Sequence, residues 1–459
     1  MGHTQTLRIS LLFLGTIVFF LAILENRIEG YCCMALISLY IYIYWNIIGI
    51  YKYSNTVCGF FILLLTSVRY FIIPLMIIID DGYMTYRPLG LGMNSTFFYQ
   101  GVSMTAWELI IFACFIYRKL PRWYEGTNEK IDIEDTTNIS LWIIIIVAFS
   151  GMIFINMSAL SDYSFVLDLK IDDTIGKEYV PKGLTETIST IASRVLKIII
   201  PIPFAYYFYK RYESTQSISN FYLSTIIFVF FYAFIIEGNS RNSIIIPAVA
   251  TMFILLRLYP QYKKGTLSAL ISVIIMITVL SLIWKSFSGN YAAVRNSSFS
   301  YWISYIESYF AGISNMGKAV YAYQNSDIII NPMIAFNDIT RNIPFLNLLT
   351  DNTNTASHYF VTIWGRKDQV IPASGNGLFY FGYIFAPIVP ILTLTLAHYF
   401  ESRMQKSSSI AEIIVFCYSS TVISYNIFNS VSTMMMKLSI TLLPLLLCLY
   451  FSRKIKLTI

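Results

Sequence analysis

The stretch SLWIIIIVAFSGMIFINMS, residues 140–158, contains no charged side chain. A hydrocarbon layer about 30 Å thick is crossed by roughly 20 mostly apolar residues in a helix. A helix also satisfies its own backbone hydrogen bonds where no water is present. This segment therefore reads as a membrane span, and runs of the same kind recur along the whole chain. Bounded by charged or turn-forming residues, they predict twelve spans, at 7–24, 31–51, 58–79, 97–117, 140–158, 188–209, 220–237, 242–259, 266–284, 377–399, 410–428 and 433–451.

Composition agrees with that class. Of 459 residues, 56% are hydrophobic and 12% charged, against roughly 25% charged in an ordinary soluble domain. The first run, Leu7 to Leu24, precedes the polar ENRIEG and a second span, without a small-residue cleavage site, and reads as an anchor. All six cysteines (Cys32, Cys33, Cys58, Cys114, Cys417, Cys448) lie in apolar runs, which argues against a disulfide framework. No Cys/His spacing suits zinc, so neither a structural metal nor a cofactor is expected. The net charge of +7 comes from short basic clusters rather than a continuous stripe, which argues against nucleic acid as a partner and for topology signals.

Basic loops resist translocation. RKLPR (118–122), KR (210–211), KK (263–264), Arg403 with Lys406 and RKIK (453–456) thus mark cytoplasmic loops, leaving both termini inside. DDGYMTYR (80–87) and the stretch around Asp162, Asp168, Asp172 and Asp173 then face outward. So does the longest hydrophilic segment, 285–376, which divides the chain into a bundle of nine spans (1–284), an external loop (285–376) and three closing spans (377–459). The loop contains YWISYIESYF (301–310) and HYFVTIW (358–364), too aromatic for a solvated tail. It is expected to be ordered and partly helical, lying on or dipping into the membrane surface. The predicted fold is all-α, a polytopic bundle of about twelve transmembrane helices with one long, partly helical external loop.

A charge in hydrocarbon is costly, which makes each intramembrane ion a functional candidate. Arg69, Glu108, Arg194 and Lys197 lie inside spans; Lys197 and Arg257 could also snorkel to the interface, and Glu108 could tie to an arginine. In EGNSRNS (237–243), Arg241 sits where a helix begins. Free N–H groups, the positive end of the helix dipole and a guanidinium together suit a phosphate; the simpler alternative is a capped turn whose arginine reaches lipid headgroups. Most ionisable residues of the loop, among them Glu307, Lys318, Asp338, Arg341 and Asp351, read as solvated surface charges. Arg295 and the group Arg366–Asp368 are the loop positions best placed for an anion, and His358 could act as a base near neutral pH.

Three features together give the chain a family likeness: ten to fourteen spans, the arginine-bearing turn EGNSRNS, and one large late external loop that exits through PASGNGLFYFGYIFAPIVPI (372–391). Ten residues separate Arg366 from Gly377, an Arg-x10-Gly spacing. On these features the chain resembles the O-antigen polymerase (Wzy) family, the oligosaccharide repeat-unit polymerases. The resemblance implies a membrane glycosyltransferase of the bacterial inner membrane, acting at its outer face in O-antigen, lipopolysaccharide or capsule biosynthesis. It would join oligosaccharide units carried on undecaprenyl pyrophosphate, with membrane lipids and a chain-length regulator protein as partners. It further implies that Arg241, Arg295, Arg366, Arg194, Arg69, Arg341 and Gly377 serve the pyrophosphate or substrate, and that His358, Glu237, Asp80 or Asp81 supplies the base for the acceptor hydroxyl. A lipid-linked oligosaccharide flippase and an O-antigen ligase are the competing readings. The long segment and the lack of an internal repeat speak against the transporter.

Overall fold

The computed structural model describes residues 49–79, 95–125, 137–157, 163–165, 183–237, 242–263, 310–326, 330–344, 346–364 and 370–455, with isolated positions between and before them. Among the described residues the chain is helical apart from one antiparallel ribbon, in which Tyr163–Phe165 pairs with Ile235–Glu237, Tyr163 opposite Glu237. Among the described residues, four helices are long and apolar enough to cross a membrane: Val57–Ile77, Gln100–Tyr124, Leu184–Thr215 and Val431–Lys454. A bent pair, Ala373–Phe385 with Ile388–Gln405, makes a fifth if taken as one span. The expected spans 7–24, 31–51 and 266–284 lie wholly or mostly outside the described residues. Those expected at 140–158, 220–237, 242–259 and 410–428 are shorter apolar helices.

Two compact units form, each assembled from separate parts of the sequence. The first comprises Met1–Gly126, Asn296–His398 and Ile423–Met435. Its helix Val57–Ser67 starts at Thr56, whose hydroxyl accepts from the Gly59 amide at 3.1 Å and donates to the Tyr53 carbonyl at 2.7 Å. That cap satisfies an amide that would otherwise have no partner at a helix start. Residues Val68–Ile72 then form a π turn before the helix resumes at Ile73. The helix Ser95–Tyr124 packs on Ile313–Gln324 with their backbones almost touching. A Cβ on Gly101 would stand 2.6 Å from the Ile313 carbonyl and 2.8 Å from the Gly317 amide, so no side chain fits there.

From residue 310 on, the described residues of the segment expected as an external loop are folded in this unit. They include the helices Ile313–Gln324, Pro332–Thr340 and Ala356–Trp364 and a 3-10 turn, Leu346–Leu349. Asn331 caps the second of these by accepting from the Met333 amide at 2.9 Å, and proline stands at its first position, where no N–H is needed.

The span expected at 377–399 is not one straight helix. Gly382 adopts φ +74° and ψ −178°, Pro387 follows, and the two flanking helices diverge by 112°. That backbone region is open essentially to glycine alone, and proline lacks the donor to continue the preceding turn.

The second unit comprises Thr127–Arg295, Tyr399–Val422 and Met436–Ile459. Its helix Ile139–Ile155 is capped by Asn138, and the long helix Leu184–Thr215 runs through Pro201. Its interior is tied by polar contacts: the Tyr232 hydroxyl donates to the Ile198 carbonyl at 3.0 Å, and the Ser224 and Tyr259 hydroxyls meet at 2.7 Å. At one border Arg453 pairs with Glu412 at 2.6 Å.

Candidate functional site

Among the described residues of the first unit, a group of buried charge begins at the π turn. One extra residue per turn brings Arg69, Tyr70 and Phe71 all to the buried side. Arg69 is 1% exposed and Glu108, from the Ser95–Tyr124 helix, 0%. Their side chains pair at 3.0 Å, and the Tyr70 hydroxyl donates to the same Glu108 carboxylate. Arg69 Nη1 donates to the Phe310 carbonyl at 3.1 Å, and its guanidinium lies 4.9 Å from the centre of the Phe428 ring. A second carboxylate, Glu307, is 2% exposed and accepts from both the amide and the hydroxyl of Ser314, capping the helix that begins at Ile313. Burial pushes the Glu307 carboxyl up from its ordinary pKa, opposed by the Ser314 hydrogen bonds and by the charges of Lys318 and Arg69. The guanidinium is therefore already neutralised by protein carboxylate and partnered by carbonyl. A small cleft lined by Leu65, Phe310, Tyr425, Phe428 and Asn429 shares two of these contact residues, but it admits nothing larger than about a water molecule.

A turn of chain connects this group to the broken helix. Phe428, whose ring lies under Arg69, offers its carbonyl to the Ala373 amide at 3.0 Å. Asn376 Oδ1 accepts from the Val431 amide at 3.1 Å. Each helix start thus satisfies a donor of the other.

The broken helix then carries Tyr380 against Asp338, the second buried carboxylate of the segment. Asp338 Oδ2 accepts from the Tyr380 hydroxyl at 2.7 Å and from the Ala356 amide at 3.0 Å, which caps the helix Ala356–Trp364. Its other oxygen, Oδ1, is also buried. Desolvation raises the Asp338 pKa to about 6, against the lowering pull of these two donors, of Arg341 and, more weakly, of the Ser357 amide. A carboxyl tuned into this range can exchange a proton near neutral pH.

His358 lies on the exposed side of the same helix, its Nε2 3.4 Å from the Thr362 hydroxyl. The neighbouring Asp351 has its pKa lowered by the hydroxyl and amide of Thr353 and, more weakly, by the charge of His358.

The sequence reading treated Glu307 and Asp338 as solvated, and that is corrected: both are buried. The signal was present in PMIAFNDIT (332–340), where Ile334 and Asp338 are four residues apart and share the inward face, but mixed composition hid it. The pairing foreseen for Glu108 does occur, with Arg69.

The remaining sequence-predicted residues are dispersed. Arg341 ends the Pro332–Thr340 helix, half-buried, within electrostatic reach of Asp338. Gly377 is fully packed, and a Cβ there would strike the Ala386 carbonyl, so glycine serves to let the chain fold back past the break. Arg194 lies half-buried on the Leu184–Ile199 helix of the second unit. Glu237 pairs through its backbone in the ribbon. Asp80, Asp81, Arg241, Arg295 and Arg366 lie outside the described residues; the helix Asn242–Leu258 starts immediately after Arg241. No protein-family model, curated protein or solved structure matches this chain.

Proposed function

We propose that this protein is an inner-membrane polysaccharide polymerase of about twelve spans with both termini in the cytoplasm. It would join undecaprenyl-pyrophosphate-linked oligosaccharide units at the outer face of the membrane. The observation that carries the reading is Asp338: a buried carboxyl hydrogen-bonded to Tyr380 and set near pH 6, inside a folded polar segment flanked by apolar helices.

Such a reaction makes one bond and breaks one. The acceptor hydroxyl oxygen bonds to the anomeric carbon of the growing chain, the bond from that carbon to the diphosphate breaks, and the hydroxyl proton passes to a base. The diphosphate is already a good leaving group, so the protein has mainly to position the partners and neutralise the departing charge. Asp338 supplies the base, with His358 as the exposed alternative. Arg341 and Arg366 hold the diphosphate; Arg241 and Arg295, which the resemblance also implies, serve the lipid-linked substrate; Arg69 is committed to Glu108 and takes a structural part.

The test is deletion of the gene in its host, followed by gel analysis of the surface polysaccharide. A single repeat unit on the acceptor is the expected pattern, and Arg241→Ala or Arg366→Ala should reproduce it while the protein stays in the membrane. Long lipid-linked chains would identify a ligase instead, and an absence of exported units a flippase.

A further inference from the structure

The segment 330–350 presents an apolar face that the site does not use. Met333, Phe336 and Ile339 recur every three residues on the Pro332–Thr340 helix and are 50%, 45% and 37% exposed, while Ile334, Asn337 and Asp338 on its other side are fully buried. Beyond the helix, Leu346, Leu348 and Leu349 are 41%, 84% and 69% exposed. The two pieces are fastened together. The Thr340 hydroxyl meets that of Thr350 at 2.7 Å, and the amides of Leu346 and Asn347 both donate to the Ile343 carbonyl at 3.1 Å. Between residues 330 and 350 the only charged residues are Asp338, which is buried, and Arg341, which is half-buried. Six large apolar side chains with no exposed acid among them form a patch that water does not favour.

The occupant follows from what adjoins the patch. The same unit exposes Ile384 and Phe385, at 67% and 57%, on the apolar helix Ala373–Phe385, half of the bent pair that makes a fifth span if taken as one. That helix is joined directly to the segment: the Asn331 amide donates to the Phe379 carbonyl at 3.4 Å, Tyr380 donates to Asp338, and Ile330 fills the space beside Gly382. The patch therefore continues a surface already suited to lipid. A helix of nine residues is far too short to cross the bilayer but suits its interface, apolar face inward.

We propose that Met333, Phe336, Ile339, Leu346, Leu348 and Leu349 seat the 330–350 segment in the acyl region of the bilayer, with Arg341 reaching the headgroups. This holds Asp338, on the reverse of the same helix, at a fixed depth just outside the hydrocarbon. The inference does not depend on the polymerase reading.

To test it, Leu348→Cys and Phe336→Cys variants of the full chain are labelled with bimane in liposomes containing phospholipids brominated along the acyl chain. Asn352→Cys, in the exposed polar turn that follows, serves as control, and labelled wild-type protein gives the background from native cysteines. Bimane at 348 and 336 should be quenched by bromolipid several-fold more than at 352, and less by aqueous iodide. Equal quenching at all three sites, with iodide reaching 348, would overturn the proposal. Shielding of 348 and 336 from both quenchers would also overturn it, by showing that a second copy or another protein covers the face. The two labels sit on separate elements, so either one decides the question if the other variant fails to assemble.

Discussion

At the scale of single residues, the fold depends on whether each buried charge has a partner. Arg69 and Glu108 satisfy one another at 1% and 0% exposure. Removing one partner of a buried pair typically costs about 3–5 kcal/mol, while replacing both costs much less. Arg69→Ala should therefore lower the unfolding midpoint in detergent sharply, and the double variant Arg69→Ala with Glu108→Ala should recover a large part of the loss. Additive losses would show that the pairing is not what matters. Asp338 makes a prediction of opposite character. Its carboxyl has an ordinary pKa of 3.8 and one of about 6 in the fold, so across that window the folded chain keeps a proton that the unfolded chain releases. Stability must then fall as pH rises from about 4 to about 6 and level off above, by a total of ~3 kcal/mol. Asp338→Asn should remove this component, leaving a shallower profile to which Glu307, shifted in the same direction, still contributes. An unchanged profile in thermal unfolding would mean that Asp338 is not the titrating group.

At the scale of elements, the sequence was readable where apolar pattern alone decides and unreadable where one backbone angle decides. The Val57–Ile77 helix and the start of the helix at Asn242 follow from run length and from EGNSRNS. The break at Gly382 was not foreseen, because FYFGYIF reads as uninterrupted apolar helix and glycine is tolerated in membrane helices. What selects the bend is local: a φ of +74° at Gly382, packing of Ile330 where a Cβ would stand at 2.8 Å, and the donor missing at Pro387. Gly382→Ala should cost ~1–3 kcal/mol through strain at that angle, and it should loosen the contact between Tyr380 and Asp338. Limited proteolysis of the 330–350 segment would report this as faster cleavage. Cleavage at the wild-type rate would mean that the break does not hold the segment.

For the molecule as a whole, composition was enough to give the class, a helical chain rich in membrane-type helices, and it anticipated helices among the described residues of 310–364. It did not give the partition into two units, because each gathers residues more than 200 positions apart, and such long-range packing leaves no local mark. Nor did it separate committed charge from available charge. Arg69 and Arg341 look alike in a list of cations, yet one is buried against a carboxylate and the other is half-buried at a helix end. The residues that matter most for hydroxyl activation under the proposed reaction, Asp338 and its donor Tyr380, became visible only when 42 positions of chain were brought together in space.

The central claim is that this chain lengthens a lipid-linked glycan with its own residues. It is tested most directly by reconstituting the purified protein in liposomes with an undecaprenyl-pyrophosphate-linked oligosaccharide and separating the products by size. The wild-type protein should yield a ladder of multiples and release undecaprenyl pyrophosphate in step, with Asp338→Asn slowing both by 10²-fold or more. If only single units remain after prolonged incubation with folded wild-type protein, the polymerase reading is contradicted.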